Sequence, residues 1–121
     1  MGLFDFLFGK KKQDPSFTLG VVNFFKGDDN SSDLMVMGFV KGSIKVGDEI
    51  VVTNMSCVTE TPVKTTVLSL GVHGSMVQEA SDTTVMAIVR DGTKLGIYKG
   101  TVLHSENTPD TELYNAYTVA L

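Results

Sequence analysis

The run "VMGFVKGSIKVGDEIVV", Val36 to Val52, decides how this chain folds. In its middle, Ile44 and Val46 stand on one side of Gly47-Asp48, and Ile50, Val51 and Val52 on the other. Gly47-Asp48 interrupts two β-branched stretches, which is the composition of strand, turn, strand. Glycine adopts a positive φ at little cost, and an aspartate beside it can accept a backbone hydrogen bond across the turn. Gly42, Gly47 and Asp48 are therefore read as structural residues that reverse the chain at a barrel corner, not as ligand contacts.

The same texture extends outward from this stretch. "FTLGVVNFF" and "LMVMGFV" precede the turn, and "EIVVTNM", "VKTTVLSLGV", "SMVQEA", "TTVMAIV" and "YKGTVL" follow it. All are rich in β-branched or aromatic residues. Turn signals stand between them at Lys41-Gly42-Ser43, His73-Gly74-Ser75, Ala80-Ser81-Asp82 and Arg90-Asp91-Gly92. Many short strands at regular spacing with little helical periodicity predict a sandwich or a barrel. "LMVMGFV" is apolar on both faces and is expected to be a central strand.

With 121 residues the chain is expected to be one domain, large enough to bury about two thirds of its unfolded surface. Its divisions are a leader at 1–15, a β-barrel at 16–104 and a tail at 105–121. In the tail, Thr108-Pro109-Asp110 has the form of a helix start, and Leu113, Tyr117 and Leu121 share a face at helical spacing. They also alternate as a strand would. A short helix or turn followed by extended chain is the expectation.

At this point the residues resemble a known pattern. "VMGFVKGSIKVGDEIVV" is similar to the signature hairpin of the second domain of elongation factor Tu and other translational GTPases. Gly38-Phe39-Val40, Gly42 and Ile44 through Ile50 fill its positions. "FTLGVVNFF" with Gly27 resembles the opening strand of that domain. "VQEASDTTVMAIVRD" resembles a later strand, and "GIYKGTVL", with Gly100, Val102 and Leu103, resembles the closing one. The resemblance spans about residues 17–103. It implies an all-β fold, a closed Greek-key β-barrel of about six strands of the translation-factor second-domain type. Asp82 stands where the family's turn usually has glycine, so a different turn is expected there. In that family the domain packs on a GTPase domain and helps hold the end of a tRNA. No GxxxxGK[ST] phosphate loop occurs in this sequence, so the GTPase activity does not carry over and the barrel is expected to stand alone.

Charge and side-chain chemistry narrow the function. The net charge is −4, and Lys10, Lys11 and Lys12 against Asp5 leave Met1–Gln13 at +2, so the remainder carries −6. An acidic body argues against a nucleic-acid surface, which needs a basic face to displace counterions. "DDNSSD" fails as a calcium loop: counted from Asp28, Asp33 stands where glycine is required and Phe39 where glutamate is. His73 and His104 have no partner at metal-ligand spacing. Cys57, the single cysteine, has no base nominated beside it. The six methionines are expected to fill core. No catalytic residue, metal, cofactor or nucleotide is expected, and the chain is read as no enzyme.

The leader "MGLFDFLFGKKKQDP" places Leu3, Phe4, Phe6, Leu7 and Phe8 before Gly9 and the three lysines. The charges follow the apolar run, unlike a secretory signal, and Phe6 stands where a myristoylation motif wants Ser or Thr. Three readings are open: a solvated terminus, a segment docked on a partner or a second copy, or a peripheral anchor with lysines on lipid headgroups. "MGLFDFLFGKKK" is also similar to the openings of assorted small bacterial proteins. The expected function is a non-catalytic bacterial binding or assembly module in the cytoplasm, with a protein partner or self-association into a homo-oligomer. The alternative is a peripheral membrane protein anchored by the leader.

Overall fold

The computed structural model describes residues 16–27, 31–55 and 63–120. Seven strands appear in the order β1 (Phe17–Lys26), β2 (Leu34–Lys45), β3 (Glu49–Thr53), β4 (Val63–Val72), β5 (Ser75–Val77), β6 (Glu79–Val89) and β7 (Val102–His104). A helix, α1 (Asp110–Ala120), follows. In space the strands run β3-β7-β1-β2-β6-β4, and β4 pairs with β3 to close a six-stranded barrel. Every pairing is antiparallel, and β5 adds to β4 as a short seventh strand. This is the expected closed barrel.

Alternation makes the core. Along β2, Leu34, Val36, Val40 and Ile44 are buried, and they meet Leu19 and Val21 of β1 and Val85, Ala87 and Val89 of β6. Ile50, Val52, Val67, Leu70 and Leu103 fill the rest of the interior. A small barrel has room only for such side chains, so its inside is packed. Each fully buried aliphatic side chain contributes roughly 1.5–3 kcal/mol relative to exposure.

Four sequence expectations are corrected. The opening stretch is not a hairpin, because β2 and β3 do not pair; β2 lies between β1 and β6, and β3 between β7 and β4. The turn at Val46-Gly47-Asp48 instead carries the chain across one end of the barrel. It is tied down there by Gly47 N–H to the Val67 carbonyl (2.8 Å) and Val46 N–H to the Gln78 carbonyl (2.9 Å). Ala80-Ser81-Asp82 is not a turn but the interior of β6, where Asp82 takes a left-handed φ of 50°. Its carboxylate accepts the Gly42 N–H at 3.0 Å, opposite an irregularity in β2 between Val40 and Ser43. The closing strand is only Val102–His104, since Thr101 N–H turns back to the Tyr98 carbonyl (2.9 Å). The tail is one continuous helix of 11 residues, with no extended segment after it among the described residues.

The hairpin from β4 to β5 turns through His73 and Gly74 alone, with φ of 52° and 82°. Two positive φ values match the twist that two-residue hairpins need. His73 is thereby an exposed turn residue. His104 is buried: its Nδ1–H donates to the Ser105 carbonyl and its Nε2 accepts from the Thr53 hydroxyl, both at 2.8 Å.

Candidate interaction wall and groove

Register places the methionines. Residues opposite one another on paired strands point to the same face. Asn23, Met37, Met86, Gly71 and Met76 form one rung across β1, β2, β6, β4 and β5. Phe25, Met35, Ile88 and Ser69 form the next, and Gly20, Phe39 and Thr84 another. All three rungs lie outside the barrel, because the alternate residues Val36, Val85 and Leu70 are the ones buried. Met76 is 75% exposed, Phe39 45%, Phe25 44% and Met86 40%. The methionines expected as core filler thus lie on the outer wall, half-buried at Met35 and Met37 and exposed at Met86 and Met76. Strand composition alone shows two apolar faces; it does not show that one of them is uncovered.

Beside this wall, α1 lies on β1. Its Leu113 and Ala120 are buried and Ala116 is partly so, spaced as one helix face. Gly20 permits the approach: a Cβ there would lie 2.5 Å from the Ala116 carbonyl oxygen and 2.9 Å from the Ala120 Cβ. Gly38 serves the strand pairing instead, since a Cβ there would collide with the Gly20 carbonyl oxygen of β1 and lie 2.9 Å from Leu19 Cδ2. The Thr108 hydroxyl, just before the helix, donates to the Phe17 carbonyl at 3.1 Å and so pins the start of the tail to β1.

Between α1 and the outer face of β1 and β2 runs a groove of about 210 Å³, lined by Val22, Phe39, Ala116 and Val119. Val22 is the extra residue of a bulge between Val21 and Asn23, which turns its side chain outward. Thr18, Lys41 and Glu112 continue the groove to a wider, more polar mouth at Ser16, Asp82 and Thr108. Lys41 Nζ and Glu112 Oε1 are 3.4 Å apart there. Sequence reasoning nominated none of the residues lining the apolar part of the groove. Gly20 inside an apolar strand was the available signal, since strand glycines often mark the close approach of another backbone.

The sequence-nominated turn residues occupy separate places. Gly42 (φ 94°) does not reverse the chain as expected: it lies inside β2, at the irregularity between Val40 and Ser43, whereas Gly47 (φ 95°) is in the turn beyond the strand. Asp48 Oδ2 accepts the Lys45 N–H at 2.8 Å, the bond expected of it. Gly100 (φ 96°) donates its N–H to the Val21 carbonyl at 2.8 Å, on the β1 bulge. Leu3, Phe4, Phe6, Leu7, Phe8, Lys10, Lys11 and Lys12 lie outside the described residues, as do Cys57 and Leu121. Among the described residues no cluster of three or more His, Cys, Asp or Glu is arranged to hold a metal ion. No described helix is long and apolar enough to cross a membrane.

The barrel superposes on translation elongation factor SelB from Methanococcus maripaludis with a TM-score of 0.61 and 29% identity, over 77% of this chain. Its fold is that of a translation-factor β-barrel domain. The same values hold for the apo form of SelB and for its complex with the GTP analogue GppNHp. The chain spans 19% of that factor's length. No protein-family model and no curated protein matches the chain. A barrel similar to that of the translation factor is thus present with seven described strands and a helix, and its outer wall exposes Phe39, Met86 and Met76 on β2, β6 and β5.

Proposed function

We propose that this chain is a non-catalytic interaction module that associates with a second copy of itself through the outer wall of the barrel. One observation carries the reading: the exposed apolar rungs Asn23-Met37-Met86-Gly71-Met76 and Phe25-Met35-Ile88. Strands stand about 4.8 Å apart and residues rise about 3.3 Å, so the three rungs cover roughly 19 by 13 Å. That is on the order of 250 Å², within reach of the largest patches carried by ordinary monomers, which are often functional. Methionine side chains are flexible enough to fit their own copies across a two-fold axis. The footprint falls short of the roughly 800 Å² per partner of a stable interface, so the self-association belongs to the weak class.

Support for the absence of catalysis is indirect. The matched part of SelB is 19% of that factor, and the sequence has no phosphate loop. Light scattering across a concentration series from micromolar to millimolar tests the proposal. A mass rising above 13.0 kDa in the native chain, and staying at 13.0 kDa for the Met37→Lys/Met86→Lys variant, is the expected result. A native chain that is monomeric throughout overturns it.

A further inference from the structure

The groove under α1 has a different character from the wall, and the chain itself enters at its mouth. Ser16, the first described residue, lines that mouth with Phe17, Thr108 and Glu112. β1 then runs from Phe17 beneath α1 to Val22 at the far, apolar end. The fifteen residues before Ser16 end in Asp14-Pro15, a pair with turn-forming chemistry.

We propose that the leader folds back over the barrel, with the phenylalanines of "LFDFLF" (Leu3–Phe8) seated on Val22, Phe39, Ala116 and Val119. Only Phe39 is shared with the outer wall; Val22, Ala116 and Val119 lie outside the rungs, so the inference stands apart from the self-association. Length permits it. Phe8 and Ser16 are eight positions apart in the chain, a span of up to about 26 Å. The groove from Glu112 to Val119 needs about 10 Å, the rise of seven helical residues. Charge agrees with the order of the segments. Lys10, Lys11 and Lys12 fall between the phenylalanines and Ser16, and so come at the mouth. There Asp82 and Glu112 line the surface against one lining cation, Lys41, and Asp110 adds a charge in the first turn of α1. Cations passing the acidic first turn of a helix are held by those carboxylates, while apolar side chains go to the apolar end. The opposite order would bury lysine against Val22 and Val119.

The chain contains no tryptophan, so Phe6→Trp in the full-length protein reports on this position alone. The expected result is fluorescence blue-shifted from free N-acetyl-tryptophanamide, unchanged on dilution. It should move to the solvent-exposed position when Val119→Lys or Phe39→Lys is added. Val119 is 73% exposed, so its replacement leaves the barrel folded, which circular dichroism checks. Solvent-like emission from Phe6→Trp alone overturns the proposal. So does a blue shift that both lysine variants leave intact, or one lost on dilution together with a fall in mass, which assigns the leader to a second copy. A blue shift appearing only with vesicles of anionic phospholipid assigns it to a membrane and equally overturns the proposal.

Discussion

Replacing Gly47 by alanine isolates the cost of one backbone angle. Gly47 sits at φ 95°, and a Cβ built there meets nothing within 4 Å. Steric clash is therefore excluded as a cause, and the amide keeps its 2.8 Å bond to the Val67 carbonyl. What remains is strain, roughly 1–3 kcal/mol for a side chain held in a sparsely populated region. Alanine also restricts the unfolded chain, which returns about 0.4–1 kcal/mol. The net loss is about 1–2 kcal/mol, and more for Gly47→Val, whose branched Cβ fits a positive φ less well. Gly27 is the control: a Cβ there also meets nothing within 4 Å, and its φ is not positive. Gly27→Ala should gain the entropic term alone, about 0.4–1 kcal/mol. The two variants thus differ by roughly 2 kcal/mol. With a urea slope of about 1.5 kcal/mol/M, their midpoints separate by roughly 1–2 M. Urea denaturation followed by circular dichroism is the assay. A Gly47→Ala midpoint equal to that of Gly27→Ala would refute the reasoning, because no other difference between the two sites remains to cancel the strain.

Three further outcomes are expected. Gly20→Ala forces a methyl group into the Ala116 carbonyl, so stability falls by about 1–3 kcal/mol, and the amides of α1 lose hydrogen-exchange protection while those of β2 and β6 keep theirs. Burial pushes the His104 imidazole below its ordinary pKa of 6.5. The unfolded chain therefore binds this proton at higher pH than the folded one, and the stability present above pH 6.5 is lost as pH falls through the lowered value. Between pH 8 and 5 the urea midpoint should drop further in the native protein than in His104→Gln, and parallel curves would remove His104 as the cause. The charge of −6 beyond Gln13 predicts no binding of tRNA or single-stranded RNA at physiological salt. A salt-sensitive micromolar shift in filter binding contradicts that.

The sequence by itself determined most of the strands and the bends at Gly47 and Gly74. β-branched alternation is a local property, so "VKTTVLSLGV" could be read as the strand Val63–Val72 to the residue. Gly47 and Asp48 likewise carry their turn chemistry wherever the neighbouring strands go. Pairing is not local. Only closure of the barrel decided that β3 leaves β2 and lies between β7 and β4, which turned an expected hairpin into a crossing. Closure also decided that Ser81 and Asp82 continue a strand, because β6 must span β2 from Leu34 to Lys45. The tail shows the same division. Leu113 and Tyr117 satisfy both helical and strand periods, and what selects the helix is the flat strip at Gly20 on which Ala116 and Ala120 rest. The wall and the groove were illegible for that reason. Met37 and Met86 are apolar residues in strands either way, and which face of a strand is covered depends on what the rest of the chain packs against it.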